Sequence, residues 1–386
     1  MVQAATLTRG NPITPNSGQA QPGPAASYVP FTRAAKEHEE TFDDRTIVLS
    51  NAAAQTVGPI DIVAYGYMRG LQLLVEFTAG TNVAGTVHED APWSLFQNIQ
   101  IADVNGAPIL GPLSGYDVYA LNKYGGIRMG VADPKANPAF VTPTIALVGG
   151  FVLRLPIEHI TRTALGSLAN QNSSSAFKLS YTINPTTSLV TGQAFSVQPS
   201  VRIRAQLEAW TQPPEFDLTG RPNATEPDNH GTTFFWSGTN IIAPVGTSSQ
   251  RLNRVGNYIR ELIVINRDNG TGLRAANGEG GMPDPWSLYY DTRLLVAQPK
   301  KIVRTRMHER LGFTTTTFEG VNGPDNGVVV FDYCHEFDMK YGNELCDGYL
   351  PTVQATRLEL QGTWTTSANV RILTNDVAPR GNIFDN

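Results

Sequence analysis

Catalytic and ligand-binding sites need side chains that ligate, attack or carry protons, set at productive spacings. This sequence holds few. Its six histidines are His38, His88, His159, His230, His308 and His335, and none forms an H-x-H or H-E-x-x-H pair. A transition-metal site needs three or four convergent ligands. The nearest approaches, His88-Glu89 and His335-x-x-Asp338, do not supply them. No serine lies in a G-x-S-x-G elbow. The stretch Asn269 to Gly281 contains G-x-G without a following G-K-[ST], so it reads as an exposed loop and not as a phosphate cradle. Asn172, Asn223 and Asn269 each open an N-x-[ST] triplet and read as polar turns. The sequence therefore predicts no catalytic residue, no cofactor site, no metal site and no enzyme.

Three other groups of residues could serve binding. Lys300, Lys301, Arg304, Arg306, His308 and Arg310 make one segment basic. Such a helix could meet a genome or an anionic lipid head group. A single helix that also carries Glu309 is a weak signal, and a solvated or ion-paired helix at a subunit boundary is the favoured reading. Trp93, Trp236 and Trp286 could stack on sugars, which would make the chain a carbohydrate-binding or carbohydrate-active protein of two β-sandwich modules. A duplicated β protein could also be a two-domain cupin, but that chemistry requires the histidine cluster this chain lacks. Cys334 and Cys346 are too few for a disulfide framework and read as two thiols, although one bridge between them is open.

The elements that must position these residues are foreshadowed by composition. The chain has 386 residues, 29 Lys plus Arg, 34 Asp plus Glu and a net charge of −5. Charged residues are 16% of the total, below the roughly 25% of soluble domains. With 36 Gly, 26 Pro and 41% hydrophobic residues, the chain reads as an all-β protein of many turns whose surface is covered by partners. No run of 18 apolar residues suits a membrane span, no secretory signal is expected at the start, and the mild acidity argues against specific nucleic-acid binding.

Residues 1 to about 30 are polar and aperiodic, an extended arm. Thr32 to Glu40 is expected to form two helical turns with Thr32 as cap. From Thr46 onward, short apolar runs alternate with turns. Leu71, Leu73, Val75 and Phe77 share one face opposite Gln72 and Glu76. Val201, Ile203, Ala205, Leu207 and Ala209 do the same, as do Leu358 and Leu360. Val328 to Met339 follows the turn Gly323 to Gly327 as a hairpin strand. Pro112 to Tyr124 and Pro299 to Leu311 are predicted amphipathic helices, each with proline near the first turn and glycine just past the end.

The two halves repeat each other in order. Tyr67-x-Arg69-x-Leu71 recurs as Tyr258-x-Arg260-x-Leu262 at an offset of 191, and Pro92-Trp93-Ser94-Leu95-Phe96 recurs as Pro285-Trp286-Ser287-Leu288-Tyr289 at 193. The two helices are offset by 187. Each half is expected to close on a tryptophan, Trp210 and Trp364, whose offset of 154 implies an extra 39 residues in the first half. An eight-stranded jelly roll fits each copy. The division predicted is an arm with a short helix at 1–42, a first jelly roll at 43–213, a linker at 214–230, a second jelly roll at 231–376 and a tail at 377–386.

With this order of strand, Pro-Trp-Ser-Leu turn and helix in each half, the sequence resembles the double jelly-roll major capsid proteins of tailless icosahedral viruses. Tectivirus-like phages are the nearest pattern and adenovirus hexon a distant relative. Asp291-Thr292-Arg293, the arginine-rich helix with Arg304, Arg306 and Arg310, and the passage from Trp210 into Pro213-Pro214 carry the likeness, over roughly residues 30 to 375. The resemblance implies two tandem eight-stranded jelly rolls with short helices in the F–G-type loops. It implies a homotrimer of pseudo-hexagonal outline that tiles an icosahedral virion shell. The implied partners are neighbouring capsomers, penton and minor capsid proteins and, in some members, an internal viral membrane, with assembly in the host cytoplasm.

Overall fold

Alternating apolar residues bury one face of each strand and leave the other to solvent or to a second layer. In a computed structural model of the chain, this pattern yields sixteen strands of five or more residues among the described residues, which are 28–82, 84–125, 134–192, 194–228, 232–252, 254–274, 280–311, 326–334 and 346–378. The first eight are β1 (Glu37–Val48), β2 (Gln55–Asp61), β3 (Tyr67–Thr78), β4 (Phe96–Ala102), β5 (Pro108–Leu113), β6 (Gly149–Pro156), β7 (Lys178–Ile183) and β8 (Ser200–Trp210). The second eight are β9 (Phe234–Ala243), β10 (Gly246–Arg251), β11 (Tyr258–Asp268), β12 (Trp286–Tyr290), β13 (Arg293–Gln298), β14 (Val328–Asp332), β15 (Leu358–Trp364) and β16 (Ala368–Val377). Three helices that lie wholly within the described residues accompany them: α1 (Phe31–Ala34), α2 (Gly115–Tyr124) and α3 (Lys300–Leu311).

The duplication is visible in the pairing. In the first half the sheets run β1-β8-β3-β6 and β2-β7-β4-β5; in the second they run β9-β16-β11-β14 and β10-β15-β12-β13. Adding eight to each strand of the first half gives the second. This is a double jelly roll, with a helix after the fifth strand of each copy. Tyr67 and Tyr258 both begin the third strand of their copy and lie opposite the last residue of its final strand, Trp210 and Val377. Leu71, Leu73 and Val75 are fully buried, as are Leu207, Ala205 and Ile203 opposite them. Each of these Leu, Val and Ile side chains contributes about 1.5–3 kcal/mol by leaving water.

Several expectations are corrected. Trp210 ends an eighth strand, whereas Trp364 ends a seventh, β15. The two are not equivalent, because both strands alternate and sequence pattern cannot rank them. The Pro-Trp motifs occupy the same connection, and both prolines follow cis bonds. Trp93, however, lies in a 3-10 turn before β4, while Trp286 is the first residue of β12. The helix predicted at Thr32 to Glu40 shrinks to α1, with Pro30 at its cap, because Glu37 to Glu40 pair with β8. Pro112 lies in β5, and α2 starts only after Ser114. The second helix extends through Lys300–Leu311 as read. Residues 335–339 of the predicted hairpin strand, 1–27 of the arm, part of the turn before Val328 and 379–386 of the tail lie outside the described residues.

Candidate functional site

A duplicated chain acts as one body only if its halves are joined, so the seam between them is the place to look for function. Its backbone link is short. β5 of the first half runs parallel to β9 of the second, with Leu110 opposite Trp236. One sheet of each copy thereby merges into a continuous sheet, β14-β11-β16-β9-β5-β4-β7-β2. Both residues are 1% exposed.

Helix α2 lies at this seam and is buried on every side, not amphipathic. Its N-terminus carries a capping box in which Ser114 Oγ accepts from the Asp117 N–H and Asp117 Oδ2 accepts from the Ser114 N–H. The same Oδ2 accepts from Arg371 Nε, on β16 of the second half, at 3.0 Å. Arg371 Nη2 also donates to the Pro112 carbonyl at 3.0 Å. The guanidinium lies across β9 at Gly238, where a Cβ would collide with it. At the other end of α2, Arg260 Nη2 donates to the carbonyl of the C-cap residue Gly125 at 2.9 Å. A cation there complements the helix dipole. Two arginines of the second sandwich thus grip both ends of the helix of the first.

The loops after the third strands meet in a buried ion cluster. Asp90 follows β3, and Arg274 follows β11. Arg274 Nε donates to Asp90 Oδ1 at 2.8 Å, Arg267 Nη1 lies 2.7 Å from Asp90 Oδ2, and the Arg274 N–H donates to Glu89. Both guanidiniums lie over the Tyr116 ring, at 4.3 Å for Arg274 and 5.2 Å for Arg267. Burial alone would raise the Asp90 carboxyl. The charges of Arg267 and Arg274 overcome it and hold the pKa at about 2.

A third contact joins the loop after β6 to β9. His159 stacks on Phe234 with ring centroids 4.4 Å apart, and its Nε2 accepts from Trp236 Nε1 at 3.1 Å. Its Nδ1 therefore carries the proton and donates to the Ile157 carbonyl at 3.0 Å. Burial, and then the Arg260 charge, push its pKa well below the ordinary imidazole value.

The residues flagged by type fall elsewhere. His88, next to Glu89, accepts from the Asp90 N–H, while His335, Asp338 and His230 lie outside the described residues. Trp93, Trp236 and Trp286 are 2%, 1% and 0% exposed, so none offers a face to a sugar. The glycine-rich stretch is exposed at 269–273 but buries Arg274, and its residues 275–279 lie outside the described ones. Asn223 is buried and donates to the Pro214 carbonyl. Cys334 is buried and Cys346 half-buried, both as thiols. Sequence reasoning missed Asp90, Asp117, Arg267, Arg274 and Arg371. The one available signal was the repeated arginine, Arg69 and Arg260, a charge set among apolar residues in both copies. Arg69 stays within its own sandwich, where its Nε donates to Glu158 at 3.2 Å and its guanidinium lies over Trp210.

No protein-family model matches the sequence, and no curated protein matches it. Solved structures do. The STIV MCP superposes with a TM-score of 0.56 at 13% identity over 89% of this chain and 97% of that one. The PBCV-1 virus capsid gives 0.53 at 10% identity over 89% and 94%. The major capsid protein P2 of bacteriophage PM2 gives 0.50 at 9% identity over 90% and 98%. At these identities the likeness is one of fold, and it spans both jelly rolls.

Proposed function

We propose that the protein is a major capsid protein, a structural subunit and not an enzyme, whose place is the virion. The observation that carries this reading is the tandem of two equivalent sandwiches fused through one continuous sheet, in a fold shared along nearly its whole length with viral capsid proteins. Three duplicated chains present six similar faces, so a trimer has a pseudo-hexagonal outline and tiles a curved, icosahedral shell. Closed sandwiches limit exposed strand edges, which favours solubility at the high local concentration of a shell. The low share of charged residues suits a surface that becomes interface. Division of the tile into a first unit at 43–213 and a second at 231–376 belongs to the same reading.

The partners of such a tile are its neighbouring capsomers, penton and minor capsid proteins at the vertices and, where the particle encloses one, an internal membrane. Assembly in the host cytoplasm fits the two thiols. The carbohydrate reading is not favoured, since the tryptophans it needs are buried. Size-exclusion chromatography with light scattering tests the proposal: a trimer or larger species is expected, and a monomer at micromolar concentration contradicts it.

A further inference from the structure

The chain has two cysteines, Cys334 and Cys346. The fold brings together the ends of the segment between them. β14 pairs with β11 and ends at Asp332, opposite Glu261. The Tyr333 N–H still donates to the Arg260 carbonyl at 3.0 Å, and the Cys334 thiol lies 3.9 Å from the same oxygen. At the next place along β11, Ile259, the partner is Leu350, and Tyr258 then pairs with Pro351. Three consecutive residues of one strand thus hold the chain just before Cys334 and just after Cys346. Cys346 itself opens the 3-10 turn Cys346–Gly348, where its carbonyl accepts from the Tyr349 N–H at 3.0 Å.

Packing brings the two side chains to one place. Cys334 belongs to a small apolar cluster with Ile160, Leu165, Phe234, Tyr349 and Val377, and Cys346 packs against the same cluster. Phe234 begins β9 and Val377 ends β16, so the cluster lies where the outer strands of the second sandwich meet the His159 contact of the seam. The two thiols differ in access. Cys334 is 5% exposed, whereas Cys346 is half-buried and within reach of a solute. A redox-active pair has this division, one thiol that meets the oxidant and a sheltered one that resolves the adduct.

We propose that Cys334 and Cys346 form a reversible disulfide that ties the end of β14 to the return of the chain at Leu350. The oxidant is a small disulfide of the glutathione class. The Cys346 thiolate attacks one of its sulfurs, and one glutathione leaves. The Cys334 thiolate then attacks the Cys346 sulfur, and the second glutathione leaves. Two protein thiols are oxidised, one small disulfide is reduced, and the two protons end on the glutathione thiols. A reducing cytoplasm holds the pair as thiols, and an oxidising medium closes it. For a virion subunit that medium is met on release from the host. This timing rests on the capsid reading, whereas the bridge itself rests on the pairing along β11. Because the ends of the segment already lie together, closure restricts the unfolded chain and leaves β11 and β14 in place.

The test uses the full-length chain, reduced and then exposed to oxidised glutathione under native conditions. Peptide mapping without reductant is expected to find Cys334 joined to Cys346 within one chain, with no glutathione retained. The melting temperature rises by about 5 °C, and dithiothreitol reverses the rise. Cys334→Ser stops at a stable glutathione adduct on Cys346, and Cys346→Ser leaves Cys334 unmodified. Persistence of both thiols in the wild type, an adduct that does not resolve, or a bridge between two chains overturns the proposal. Light scattering on the same samples separates it from the capsid reading: a trimer without the bridge refutes the bridge alone, and a bridged monomer refutes the capsid reading alone.

Discussion

Asp117 and Arg371 are 254 residues apart, and one carboxylate oxygen of Asp117 accepts from Arg371 Nε at 3.0 Å while also accepting from the Ser114 N–H at 2.9 Å. The cap of a helix in one sandwich is thereby the anchor of a strand in the other. Loss of the Ser114 hydroxyl removes only capping, so Ser114→Ala is expected to cost about 1 kcal/mol. Asp117→Ala also strips the partner from a largely buried guanidinium and is expected to cost about 3 kcal/mol. Urea unfolding of the two variants checks the order; equal losses would mean that the Arg371 contact adds nothing.

The Asp90 cluster should be more sensitive still. Asp90→Asn leaves Arg274, which is 1% exposed, beside a neutral amide in a buried site. A loss of about 3–5 kcal/mol is expected, and Arg267→Gln, at a less buried position, should cost less. Thermal unfolding of both variants measures the difference.

Stability should also depend on His159. Its folded pKa is depressed by burial and then by Arg260, so the unfolded chain binds the proton first as pH falls. The stabilisation is complete above the unfolded imidazole value of 6.5 and is lost as pH drops below it, at about 1.4 kcal/mol per pH unit for the one proton. Glu158, raised by burial, works in the opposite sense. The comparison is therefore between wild type and His159→Gln. The variant should lose one proton's worth of pH dependence between pH 6.5 and 5, and parallel curves would refute the assignment.

Trp93, Trp236, Trp286 and Trp364 are all at most 2% exposed. Iodide should therefore quench little of the native tryptophan emission, and mono- and oligosaccharides should not shift it. A saturable sugar-induced shift would revive the carbohydrate reading.

What was legible in the sequence follows from how far each signal reaches along the chain. Leu71 to Phe77 and Val201 to Ala209 announced themselves because one face is wet and the other dry. β1 does not, since Glu37 to Asp44 are mostly polar on both faces of an edge strand, and its first residues, through Glu40, read as the end of a helix. The helix after β5 is legible, but an amphipathic pattern does not foretell where its polar Asp117, Asn122 and Lys123 go. They are buried: Asp117 meets Arg371, and Asn122 pairs with the backbone of Arg154 through both its amide nitrogen and its oxygen. The seam is not legible because its partners lie far apart in the chain, His159 and Trp236 by 77 residues and Asp117 and Arg371 by 254, and no local spacing links them.

The central claim is that three of these duplicated chains form one six-lobed tile, and single-particle electron microscopy of the purified full-length protein tests it most directly. Class averages should show threefold particles of hexagonal outline with six similar lobes. Isolated two-lobed particles at micromolar concentration would contradict the account.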